Sequence, residues 1–169
     1  MGNRNREIGG GEMSDFFKPD GVALTSNKDD WETPQALFES LNAKYHFAID
    51  LAASRDNAKC DRYFSVADDS LLQDWSAGFG GAMYLNPPYG RHIGDWVKKA
   101  YETSLRVNVP IVLLIPSRTD TSYWHNYIFD KANIQFIRGR LKFEQNGVAS
   151  SPAPFPSAII VYNGEEAEK

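Results

Sequence analysis

The sequence predicts an open α/β fold, with one compact, mostly parallel sheet closed by an antiparallel strand pair. Three observations carry that expectation. Apolar strand-like runs alternate with stretches of helical spacing along the chain. The run Pro110–Ile115 (PIVLLI) is apolar throughout, as a central strand covered on both faces must be. A loop containing two prolines, Asn86-Pro87-Pro88-Tyr89, follows another apolar run. In open α/β sheets, loops at the carboxyl ends of strands form ligand crevices.

In chain order, residues 1–20 lack periodicity and hold the glycine run Gly9-Gly10-Gly11, which predicts a disordered tail. Residues 21–162 form a single domain, and 163–169 an acidic tail. Thr33-Pro34 reads as a helix start, with Thr as N-cap and Pro at the first helical position. Leu37, Phe38 and Leu41 then share one face of a helix that runs to about Lys44. His46–Ala52 alternates Phe47, Ile49 and Leu51 as a strand, with Asp50 near its carboxyl end. Ala53–Asp61 is polar and loop-like, Arg62–Val66 is a further short strand, and Asp68–Leu72 turns toward an apolar anchor at Trp75.

Gly80–Leu85 is the strand that feeds the proline motif. Ile93, Trp96, Val97, Ala100 and Tyr101 recur at helical spacing and read as core residues. Beyond the central strand, Ser117–Asp120 leads into a helix carrying Trp124, Tyr127 and Ile128, and Asn133–Ile137 is a strand. Leu141–Phe143 and Ser157–Tyr162 are read as the closing antiparallel pair, joined through the Pro-rich loop Ser151–Pro156.

At 169 residues, 42% apolar and 24% charged, the chain fits one globular domain with its own core. No apolar run reaches the roughly 18 residues of a membrane span, and no apolar signal-peptide core is present. A cytoplasmic location is therefore expected. Cys60 is the only cysteine, which excludes an intramolecular disulfide and a Cys-cluster metal site. His46, His92 and His125 stand at no ligand spacing, so no metal is expected. A net charge of −4 argues against a strong constitutive nucleic-acid binder. Local basic clusters remain, Arg91 with Lys98 and Lys99, and Arg138 with Arg140 and Lys142. Each reads either as solvated surface charge or as a set of phosphate contacts.

The proline motif carries the chemistry. Pro cannot donate to a ladder and holds the preceding residue extended, so the strand stops there. Asn86 and the Pro87 carbonyl are thereby fixed at its end, with the Tyr89 ring two residues on. A carboxamide, a backbone acceptor and a flat apolar face suit a planar ligand bearing an amino group. The same residues also read as a plain loop in which Asn opens a turn.

The rest of the chain separates those readings. In order it carries Trp31-Glu-Thr-Pro-Gln, Ile49-Asp-Leu-Ala-Ala-Ser, Asp68-Asp-Ser-Leu and Asn86-Pro-Pro-Tyr, then Arg138-Gly-Arg-Leu-Lys-Phe and Ala153-Pro-Phe-Pro-Ser. This series resembles the phage-type DNA N6-adenine methyltransferase (Dam) family over residues 25–162. The resemblance implies a Rossmann-like class I methyltransferase fold that uses S-adenosyl-L-methionine (SAM) on adenine in double-stranded DNA. It also implies a phage or prophage origin, a bacterial cytoplasm, and GATC as target, although no residue here reads that sequence.

Roles carry over by position. Trp31, Thr33 and Pro34 match the segment lining the methionine end of SAM, and Asp50 and Ala52 the cofactor loop at the first strand's end. Asp69, with Asp68 beside it, matches the acid that binds the adenosine moiety. Asn86, Pro87 and Tyr89 match the catalytic motif: the Asn86 oxygen and Pro87 carbonyl receive the two N6 hydrogens, and Tyr89 stacks on a flipped base. Arg91, Arg138, Arg140 and Lys142 are the candidate phosphate contacts.

The sequence departs from the family pattern in two places. The usual FxGxG is replaced by Asp-Leu-Ala-Ala-Ser, and about 36 residues separate Asp50 from Asn86, which shortens the intervening helix and strand. Only Asp56 and Asp61 are then left as ribose-binding acids. No separate target-recognition domain is evident, so readout falls to loops, the N-terminal arm or a second subunit. Two other functions stay open at this level: methylation of RNA or a protein amide on the same fold, and SAM binding without turnover.

Overall fold

The computed structural model describes residues 29–164. The N-terminal tail, the first eight residues of the expected domain (21–28) and most of the acidic tail (165–169) lie outside them. Helix α1, Gln35–Tyr45, buries Phe38 and Leu41. It begins one residue later than expected, because Pro34 takes the N-cap position and its carbonyl receives the Phe38 N–H at 3.0 Å. Thr33 makes no cap; its hydroxyl is engaged elsewhere. His46, in the left-handed region at φ 54°, turns the chain directly into strand β1, Phe47–Asp50.

Strand β2 is Ala82–Leu85, α2 is Ile93–Ser104 and β3 is Ile111–Pro116. A short α3, Ser122–Tyr127, precedes β4, Asn133–Phe136. A small hairpin of β5, Glu144–Gln145, and β6, Val148–Ala149, leads to β7, Ser157–Tyr162. Between β1 and β2 the described chain forms only short 3-10 turns, at Val66–Asp68, Ser70–Leu72 and Trp75–Ala77.

The sheet order is β1-β2-β3-β7-β4. Strands β1, β2 and β3 are parallel, and β7 lies antiparallel between β3 and β4. The fold is thus mixed α/β with a mostly parallel central sheet. β2, β3 and β7 are buried at every residue, which is what central placement between two covered faces demands. β4 is mostly exposed and takes an edge.

Two sequence expectations need correction. Leu141–Phe143 does not pair with Ser157–Tyr162; β7 pairs with β3 and β4 instead. Its unbroken apolar run needs partners on both edges and cover on both faces, which a terminal hairpin does not supply. The chain at 141–143 runs into the small hairpin, whose turn, Asn146-Gly147, has both residues at positive φ (53° and 77°). That dipeptide is the sequence signal for such a turn. Arg62–Val66 is likewise no full strand and contributes a single bridge, Tyr63 to Asp50.

Candidate active site

Because β4 runs with β1, β2 and β3, four strands end at one rim. The segments that leave it begin at Leu51, Asn86, Ser117 and Ile137, and β7 enters there after Pro156. A cleft of about 250 Å³ opens at this rim. Trp31, Thr33, Asp50, Ala52, Asp69, Asn86 and Pro87 line it, so seven of the residues singled out from sequence come together.

Asn86 is the centre of the arrangement. Its Nδ2 donates to the main-chain carbonyl of Trp31 and, at 3.1 Å, to Thr33 Oγ1. Thr33 Oγ1 in turn lies 2.5 Å from the Tyr84 hydroxyl. With the amide nitrogen so engaged, Oδ1 is left buried and without a partner. A buried acceptor in that state is costly, and its natural complement is a donor brought by a ligand.

Asp50 stands at the end of β1 and is 3% exposed. Its Oδ1 accepts from the Ala52 N–H at 3.2 Å and its Oδ2 from the Lys59 N–H at 3.1 Å, which folds the polar loop back over the strand end. Burial pushes its carboxyl up to about 6, against those two backbone donors and the Lys59 charge, which pull it down. Asp69 sits exposed in the cleft wall in the left-handed region, φ 49°. Asp68 does not line the cleft: its Oδ2 accepts from Ser65 N (2.7 Å) and Ser65 Oγ (3.0 Å) in a capping box. Asp56 and Asp61 are exposed and do not line it either, nor does Pro34, which starts α1.

Tyr89 is placed differently from the stacking role. It is 6% exposed, its hydroxyl donates to the Leu114 carbonyl at 2.8 Å, and it is absent from the cleft wall. Its ring meets Phe143 and Phe155 edge-on at 5.9 and 5.7 Å. Trp31 meets the same two rings at 5.4 and 5.1 Å. The four aromatics clamp the Trp31 segment to the motif loop, and the Tyr89 N–H adds a bond to Asp29 O at 2.9 Å. Gly90 lies close to the same segment: a Cβ there would come within 2.6 Å of the Asp29 carboxylate, which would have to swing aside.

Arg91, Arg138, Arg140 and Lys142 are all exposed and belong to loops at the same rim, outside the cleft. Arg140 reaches the Ala153 carbonyl at 3.4 Å. Arg118, just past the end of β3, joins this set and was not singled out from sequence, although a cation directly after a buried strand is a readable signal. Lys59, Phe64, Ser70 and Trp96 also line the cleft unforeseen. Trp96 was hidden by its helical spacing with core residues. The other three lie between β1 and β2, where the chain forms neither an α-helix nor a named strand. Among the described residues no group of three His, Cys, Asp or Glu is placed to hold a metal, and no helix is long and apolar enough to cross a membrane.

Fold and site together define a mixed α/β protein with a cleft at the strand carboxyl ends, beside a carboxamide whose oxygen is buried and unpartnered. The chain belongs to the DNA N-6-adenine-methyltransferase (Dam) family, whose model matches residues 21–165. It is 30% identical over 143 residues, 84% of its length, to the DNA N-6-adenine-methyltransferase of Escherichia phage T1. That match covers 56% of the phage protein, so the chain spans little more than half of this relative. A stretch of 65 residues, 36% of the chain, is 42% identical to the putative methyltransferase YfdM of Escherichia coli strain K12 and covers 71% of it.

Proposed function

We propose that this chain transfers a methyl group from SAM to the N6 amine of adenine in double-stranded DNA, with the base turned out into the Asn86 site. The observation that carries the reading is the unpartnered Asn86 Oδ1 at the cleft, in a chain of this family. The strand order, with one antiparallel strand next to the edge, supports a Rossmann-like class I fold reduced where 3-10 turns stand between β1 and β2.

The cleft residues fit SAM. Asp50 offers a buried acid to a cationic amine or sulfonium, and Asp69 offers an exposed carboxylate to the adenosine moiety. Trp31, Phe64 and Trp96 give flat apolar walls, and Val66, 96% exposed at the lip, adds an apolar contact. Bound there, SAM supplies a methyl group already activated by its sulfonium. The chain's own part is to position the acceptor and adjust its charge. Adenine N6 is a poor nucleophile because its lone pair is delocalised into the ring. Asn86 Oδ1 and the Pro87 carbonyl, each accepting one N6 hydrogen, favour the pyramidal, nucleophilic form. After transfer the amine is cationic and loses its proton to solvent, so no general base is assigned.

The rim cations Arg91, Arg118, Arg138, Arg140 and Lys142 are suited to hold backbone phosphates around a base directed at Asn86. The test is incubation of the purified chain with methyl-labelled SAM and unmethylated duplexes with and without GATC, followed by nucleoside analysis. N6-methyladenine is the expected product. Its absence, with SAM bound, overturns the reading and directs the search to RNA or protein amides.

A further inference from the structure

We propose that Thr33, backed by Tyr84 and acting beside the Trp31 carbonyl, is a positioning residue that fixes the rotation of the Asn86 carboxamide. The inference rests on the functional reading above and adds to it the means by which Oδ1, rather than Nδ2, faces the acceptor amine. The two ends of a carboxamide have nearly the same shape, so packing cannot distinguish them; hydrogen-bond partners must. Here the inner end meets two acceptors. The Trp31 carbonyl can only accept, and Thr33 Oγ1 accepts from Nδ2 at 3.1 Å.

Thr33 is itself held. It is 2% exposed, and Tyr84, 1% exposed, meets its hydroxyl at 2.5 Å. Whichever of the two hydroxyls donates, Oγ1 keeps a lone pair for Asn86. The result is a relay from β2 through the segment before α1 to the motif loop. In the opposite rotation Oδ1 would face the Trp31 carbonyl, and Nδ2 would point its hydrogens at an incoming N–H. That arrangement would repel both the protein acceptor and the substrate donor. Tyr84 lies in β2 and Asn86 directly follows its last residue, Leu85, so the relay is closed by two nearby positions of one chain segment and one crossing chain.

The experiment uses the full chain, 15N-labelled, with side-chain amide signals assigned to Asn86 by their loss in Asn86→Ala. In the wild type these protons, held by Trp31 and Thr33, are expected to exchange slowly with solvent. Thr33→Val, which keeps the shape and removes the acceptor, is expected to speed that exchange and to lower kcat by about ten-fold at unchanged KM for DNA. Thr33→Ser should restore both. The proposal is overturned if Thr33→Val leaves both at wild-type values, or lowers kcat while the amide stays protected, which would indicate a purely structural role. If Thr33→Val does not fold, Tyr84→Phe is read the same way, with about three-fold expected in kcat. A wild type that makes no N6-methyladenine overturns the functional reading alone, because amide exchange still judges the relay.

Discussion

The side chain of Asn86 donates to the main-chain carbonyl of Trp31, 55 positions earlier in the chain. This bond ties the segment before α1 to the loop after β2 and so builds the cleft wall and the acceptor in one step. A backbone carbonyl cannot turn into a donor, so the contact admits only one orientation of the carboxamide.

Asn86→Ala removes the proposed acceptor together with the Nδ2 bonds to Trp31 and Thr33, while the aromatic clamp and the Tyr89 N–H bond to Asp29 still hold the Trp31 segment. Methyl transfer to DNA should fall by about 100-fold or more in kcat, the scale of losing a preorganised partner of the reacting group. SAM affinity, measured by calorimetry, should change by less than about three-fold. Undiminished turnover in this variant would remove Asn86 from the mechanism.

Asn86→Asp tests the partners rather than the acceptor. A carboxylate has no hydrogen to give the Trp31 carbonyl and would sit acceptor to acceptor against it. We expect about ten-fold or more loss of kcat at neutral pH, eased as pH falls and the acid takes up a proton. A pH-rate profile equal to that of the wild type would contradict this.

Tyr89 should act through stability. Tyr89→Phe loses the bond to the Leu114 carbonyl, which costs about 1 kcal/mol. Tyr89→Ala also empties the aromatic clamp and costs about 3–5 kcal/mol. Urea denaturation reads both. If Tyr89→Ala kept wild-type stability and lost only binding to mismatched duplexes, direct stacking on the base would be the better account.

Asp50 predicts a pH dependence with a definite sign. Its folded-state pKa, about 6, lies above the unfolded value of 3.8, so the native state holds its proton more tightly. The associated stability is fully present below the unfolded value and is lost as pH rises through about 6, a span of roughly 3 kcal/mol. Asp50→Asn should flatten the Tm-against-pH curve between those limits. SAM, whose cationic groups favour the ionised acid, should bind more tightly as pH rises through the same range. A slope identical in wild type and Asp50→Asn would place the titration elsewhere.

The rim cations are tested by salt. Removing one cation that neutralises a phosphate should reduce the slope of log K against log salt by about 0.9. Arg138→Ala with Arg140→Ala should therefore lower the slope by roughly 1.8 if both hold phosphates. An unchanged slope with unchanged affinity would return them to ordinary surface charge.

Much of this was legible in the chain itself. A run apolar at every position must be a strand covered on both faces, and β3 is one. A double proline must end a strand, and β2 stops before it. The helical stripe from Ile93 buries Val97 and Ala100 as its spacing requires. These are local consequences of backbone chemistry, and the order of the motifs pointed to the family without further help.

What the sequence could not decide depended on partners distant along the chain. Thr33 has the residue type of a helix cap, yet its hydroxyl serves Tyr84 and Asn86, because those groups are buried beside it and solvent cannot replace them. Tyr89 has the residue type of a stacking platform, yet Phe143 and Phe155 enclose it. Strand β7 ends the described chain but lies inside the sheet, since only there are both of its edges paired. The orientation of Asn86 follows the same logic. Sequence placed a carboxamide at the end of a strand, and tertiary structure decided which of its two ends faces the cleft.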